Sequence, residues 1–143
     1  TPNQWQAESA MDDLHHIMNT LEQLAGREVD IVPSVYARFF AACPPAAALF
    51  GSAEARAVQG KMVNELVQTV IDRLEGKPYS AQVVETMVSD HDSWGVTLPM
   101  YEAFLAAFAA ALQDALGADA EPAAMAVWHR ELAALRDTVA GHL

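Results

Sequence analysis

The chain has 143 residues, with 19 acidic against 8 basic side chains and a formal charge of −11. That balance argues against a nucleic-acid partner or an anionic membrane surface, since both need clustered Lys and Arg. The single cysteine, Cys43, rules out an internal disulfide, a Cys-rich zinc site and a CxxC redox pair. A hydrophobic fraction of 52% in a chain of this length fits one globular unit, residues 1–143, soluble and cytoplasmic. Apolar stretches such as 103–112 fall short of the ~20 residues a membrane span requires, and no charged-then-apolar signal segment opens the chain.

Helix formers dominate, Val and Ile do not alternate, and seven prolines punctuate the pattern, so the chain reads as all-α. The spacing of Met11, Leu14, Met18, Leu21 and Leu24 predicts a first helix over about 8–24, closed by Gly26. A second covers about 29–42 with Val32, Tyr36, Phe39 and Phe40. Cys43-Pro44-Pro45 breaks it and starts a short helical turn ending at Leu49-Phe50-Gly51. Ser52 is read as the N-cap of a helix running unbroken to Leu74, ended by Gly76-Lys77-Pro78. Ser80 is expected to cap the next, which carries Val84, Met87, Val88 and His91. After a corner at 94–99, an apolar helix runs from about Pro99 to Leu116, and Glu121-Pro122 starts the last one, with Met125, Trp128, Leu132, Leu135 and Val139. The expectation is about six long helices plus a short one.

Of the five histidines, His15, His16, His129 and His142 show no metal-ligand spacing such as HExxH. His91 differs, because it ends an apolar helical face and is followed by Trp94-Gly95-Val96 and Tyr101. Taken alone it reads more readily as a core or capping residue than as a ligand. In sequence with its neighbours, the segment resembles the proximal-histidine region of globins, in particular bacterial haemoglobins and the haem domain of flavohaemoglobins. Upstream, Tyr36-Ala37-Arg38-Phe39-Phe40, Cys43-Pro44-Pro45 and Leu49-Phe50 resemble the globin second helix, its Pro-started corner and the haem-stacking phenylalanine. Gln59-Gly60-Lys61-Met62-Val63 resembles the distal segment, and Ala126-Val127-Trp128 the start of the last helix. The resemblance spans about residues 29–143.

It implies a globin fold around a b-type haem (iron protoporphyrin IX), with His91 as the iron ligand. A neutral imidazole suits ferrous iron. Phe50 would stack on the porphyrin, Val63, Met87 and Leu98 would form further walls, and Tyr101, ten residues after His91, resembles the tyrosine that flavohaemoglobins place near the proximal side. Met87 and Val88 lie four and three residues before His91, on nearly the same helical face, where core packing and pocket lining coincide. Arg56 or Lys61 could meet propionates, although a solvated surface charge accounts for either. On the distal side Tyr36 and Gln59 are the candidate donors to bound dioxygen, and each has a plainer reading: a buried tyrosine bonded to a backbone carbonyl, and a surface helix residue. Two departures from the family pattern stand out. The segment from Phe50 to Gln59 is one residue shorter, and Pro33 lies where the family helix has already formed. The glutamate that polarises the proximal imidazole in flavohaemoglobins would fall at or beyond Leu143.

The implied function is reversible binding of dioxygen, with nitric oxide and carbon monoxide as further ligands. Nitric oxide dioxygenation would need an electron-donating reductase as partner, because no strand followed by GxGxxG is present to bind a nicotinamide or flavin. A homodimer is compatible with the resemblance. The rival reading is a haem-based gas-sensor domain of a larger signalling protein, with Thr1 and Leu143 marking where it was excised. A globin-shaped interaction domain without haem is the third.

Overall fold

Proline at the front of a helix and a left-handed residue just behind it set most of the boundaries in this chain. The computed structural model describes residues 4–143, and among these there is no strand. Six long helices, α1 (Gln4–Gly26), α2 (Val32–Ala42), α5 (Gln59–Leu74), α6 (Ser80–Asp92), α7 (Leu98–Leu116) and α8 (Pro122–Gly141), are joined by two short ones, α3 (Pro44–Ala47) and α4 (Ala53–Ala57), and by 3-10 turns at Ala48–Phe50 and Gly117–Asp119. No helix among the described residues is long and apolar enough to cross a membrane.

The expected all-α architecture is present, with four local corrections. First, α2 begins at Val32 and not near Val29, so Pro33 sits in the first turn, where a missing N–H breaks no helical bond. The Asp30 carboxylate accepts from the Val32 N–H at 3.0 Å and turns the chain into the helix. Second, Gly26 is the last residue of α1 but does not close it. Glu28 takes the left-handed conformation, φ 55°, while Glu28 N–H donates to Ala25 and Val29 N–H to Leu24, both at 3.1 Å. The same pair of bonds ends α5 at Gly76 and α6 at Gly95, where glycine supplies the positive φ without a Cβ clash.

Third, the helix expected from Ser52 to Leu74 is two helices. Ser52 does cap α4, its hydroxyl accepting from Ala55 N–H at 3.0 Å. Val58 then stands in the bridge region (φ −89°, ψ −1°), with its N–H turned back onto Ala55 and Arg56, and α5 restarts at Gln59. Fourth, Ser80 is the first residue of α6 and caps nothing. Tyr79 precedes it already in helical backbone conformation, so no extended residue is there to offer a side-chain cap.

The core is built where α2 packs on α7 and α8 packs on α1 and α7. The buried face of α7 alternates small and large side chains, Ala107, Phe108, Ala111 and Leu112, and the alanines let neighbouring helices come close. Trp128 and Phe108 are fully buried and meet edge to face, with ring centroids 5.4 Å apart. The Trp128 indole N–H donates to the Thr20 hydroxyl at 3.1 Å, and that hydroxyl donates to the His16 carbonyl at 2.9 Å, so the polar atoms in this part of the core are satisfied. Arg73 on the last turn of α5 lies 3.5 Å from the buried Glu131 carboxylate of α8, which Arg130 also meets at 3.5 Å. This ion pair fixes the far end of α5 against α8.

The end of α1 offers a direct test. Glu28→Gly should stabilise the chain by about 1 kcal/mol in urea unfolding, since it removes the penalty of a left-handed L-residue. Gly95→Ala should destabilise it by at least a similar amount. No atom lies within 4 Å of the added Cβ there, so the cost is purely one of backbone conformation.

Candidate functional site

The eight candidate residues fall into two groups joined through α7. On one side stand Tyr36 of α2, Phe50 of the 3-10 turn, and Gln59 and Val63 of α5. On the other stand Met87 and His91 of α6, with Leu98 and Tyr101 from the start of α7. Their spacing along α7 explains the join. Leu98, Tyr101 and Phe104 recur every three residues and share a face. Tyr101 packs beside His91, with ring centroids 6.2 Å apart, and Phe104 packs beside Tyr36 at 5.8 Å.

Tyr36 is 3% exposed, with the rings of Phe39, Phe40, Phe50 and Phe104 around it. The nearest is Phe50, 5.3 Å away and edge to face. Its hydroxyl donates to the backbone carbonyl of Gln59 at 3.2 Å. Tyr36 and Gln59 therefore meet, but through the main chain of Gln59 and not through its amide. Val63, one turn further along α5, is buried. Burial pushes the Tyr36 phenol well above its ordinary value, so it stays a neutral donor throughout the physiological range.

His91 is half-buried in the last turn of α6. Its Nδ1 lies 2.7 Å from the Met87 carbonyl, one turn back. A carbonyl can only accept, so Nδ1 carries a proton, and Nε2 is the ring nitrogen left for another partner. The His91 carbonyl is itself held by the N–H groups of Trp94 (3.0 Å) and Val96 (3.3 Å) in the turn that Gly95 completes. Met87, Leu98, Phe50 and Tyr101 are all half-buried and packed against the core. The Tyr101 hydroxyl is buried without a hydrogen-bond partner among the described residues. Burial first, and the negative charge of Asp92 second, push its phenol up to about 12.

The two candidate propionate partners lie on α4 and α5. Arg56 is exposed, donates to the Gly51 carbonyl at 3.0 Å, and has no carboxylate partner among the described residues, whereas Lys61 is spent on Glu65 at 3.7 Å. The sequence reading missed Phe104, which touches both Tyr36 and Phe39. Its place three residues after Tyr101 was the available signal. No group of three or more His, Cys, Asp or Glu among the described residues could hold a bare metal ion. A metal at His91 would need its remaining donors from a prosthetic group. An imidazole whose Nδ1 is engaged by the Met87 carbonyl, with the Tyr101 ring beside it, has the chemistry of a ligand to such a group.

Because the Tyr101 phenol holds its proton more tightly when folded, its contribution to stability is complete below about pH 10 and is lost as pH rises towards 12. Urea midpoints followed across that window should fall in step with phenolate absorbance, and less steeply in Tyr101→Phe.

Comparison with curated proteins finds no match. A family model described as Globin matches residues 33–139, from the first turn of α2 to the last turn of α8, and so includes every candidate residue above. Globins bind haem and, at its iron, diatomic gases. The helical architecture agrees with that match, which covers most of the length, and the chain belongs to the globin family.

Proposed function

We propose that this globin holds a b-type haem through Nε2 of His91 and binds dioxygen reversibly, in the manner of a bacterial single-domain haemoglobin. The observation that carries the reading is the 2.7 Å contact between His91 Nδ1 and the Met87 carbonyl. It engages one ring nitrogen and so orients the imidazole, which is what a histidine ligand to iron requires of its other nitrogen. Haem supplies an iron atom with one position open to a diatomic gas. The remaining work belongs to the chain. Phe50, Val63, Met87, Leu98 and Tyr101 offer apolar surface that keeps water from the gas. Arg56, with no carboxylate partner among the described residues, is the freer of the two candidate bases to meet a propionate.

Tyr36 is the principal distal donor in this proposal, because its hydroxyl is buried, neutral and already at the start of α5. A hydrogen bond to a partly charged acceptor is worth roughly 1.5–3 kcal/mol, or about ten- to a hundredfold in affinity. The Gln59 amide, half-buried on the same first turn, is the second donor. Nitric oxide dioxygenation belongs to the same pocket only with electrons from a separate reductase, and a cytoplasmic setting is part of the same reading.

Haem titration should give a histidine-ligated spectrum in the ferrous, ferric and carbonmonoxy forms, lost in His91→Ala. Oxygen release measured by stopped flow should speed up about ten- to a hundredfold in Tyr36→Phe and less in Gln59→Leu. A chain that stays colourless, or a Tyr36→Phe variant with unchanged release, contradicts the assignment.

A further inference from the structure

One hydroxyl proton in this molecule has two claimants. Tyr36 donates to the Gln59 carbonyl, yet the reading above asks the same proton to serve a gas in the pocket. A phenol cannot do both at full strength, so binding and the fastening of α5 compete. We propose that Tyr36 is a latch on the α4–α5 corner, released by ligands that accept a hydrogen bond and left closed by those that do not. This rests on the functional reading of Tyr36.

Three features of the corner make it able to respond. The bond from Tyr36 is 3.2 Å, long for an O–H donor, so it yields readily to a better acceptor. The Gln59 carbonyl is not orphaned on release, because it lies at the start of α5, where the Val63 N–H one turn on takes up a carbonyl. And α4 is held lightly. It packs on the preceding 3-10 turn and on α5, its junction at Val58 is interrupted, and Gly51, Ser52, Ala53, Glu54, Ala57 and Val58 are exposed. The far end of α5, by contrast, is tied to α8 by Arg73 and Glu131. Freed at Gln59, the corner can open while the rest of α5 stays in place.

The consequence is discrimination by polarity. Dioxygen and cyanide accept hydrogen bonds well and would draw the proton away from Gln59. Carbon monoxide accepts poorly and would leave the corner shut. The chain thereby reports, in the mobility of an exposed segment, which kind of ligand it holds.

Hydrogen exchange on the haem-loaded full chain tests this, read over peptides spanning residues 51–63. Without ligand, Tyr36→Phe should exchange about fivefold faster there than the unsubstituted chain, with α7 and α8 unchanged. In the unsubstituted chain, saturation of the ferric form with cyanide should accelerate the same peptides by a similar factor, and saturation of the dithionite-reduced form with carbon monoxide should not, each read against the ligand-free chain in the same oxidation state. Tyr36→Phe should erase the difference between the two ligands. Equal exchange with cyanide and carbon monoxide, in a sample with a normal haem spectrum, overturns the latch and leaves the functional reading intact. Unaltered exchange in ligand-free Tyr36→Phe overturns it equally. A chain that takes up no haem overturns the functional reading, and with it the ligand-driven release.

Discussion

The bond between His91 Nδ1 and the Met87 carbonyl is the contact on which the rest of the site turns. An imidazole at the end of a helix has two nitrogens, and unless one is engaged the ring is free to rotate and to exchange tautomers. Here the carbonyl one turn back takes the N–H, and the backbone that bears the ring is held in turn by Trp94 and Val96. Gly95 makes that closure affordable, since its positive φ lets the chain fold back over the last carbonyls of α6. The hydrogen bonds that orient this side chain thus come from main-chain groups, with the Tyr101 ring packed beside it.

Around that contact the molecule divides its labour between a firm frame and a loose corner. Trp128, Phe108 and Leu112 fill a core in which the Trp128 indole and the Thr20 hydroxyl find partners, and the Arg73–Glu131 ion pair links one end of α5 to α8. Breaking such a partly buried pair strands a charge, which gives it more weight as a fixed point than as a source of net stability. Near Val58 the reverse holds. The backbone is interrupted, the side chains are exposed, and a single long hydrogen bond comes from the interior. Weak local protection of this kind is what segments that open are made of.

Much of this was legible in the sequence because helices announce themselves by spacing. The helices follow from period and punctuation, whereas Phe50, Val63 with Gln59, and His91 ahead of Trp94-Gly95-Val96 are singled out by their resemblance to globin segments. What stayed hidden was governed by the backbone. Nothing in the identity of Glu28 marks it as the left-handed residue when Gly26 stands two positions away, and the interruption at Val58 falls between the good helix formers of 53–57 and Gly60, a glycine that the sequence reading places inside one continuous helix. Pro33 misleads in the opposite sense, because a proline that looks disruptive inside a helix is harmless when the helix starts one residue before it. Of the two readings of Tyr36, the plainer one, a buried tyrosine bonded to a backbone carbonyl, describes the bond it makes, and what stayed hidden is that the carbonyl belongs to Gln59.

The aromatic stripe on α7 has a wider meaning. Because Tyr101 touches the imidazole and Phe104, one turn away, touches the distal phenol, both hemispheres of the molecule lean on the same short rod. A rotation of that rod by a few degrees shifts both contacts together. Divergence along this lineage cannot retune how the His91 ring sits without disturbing the packing around Tyr36, so inherited changes in α7 should travel with compensating ones in α2 or α6.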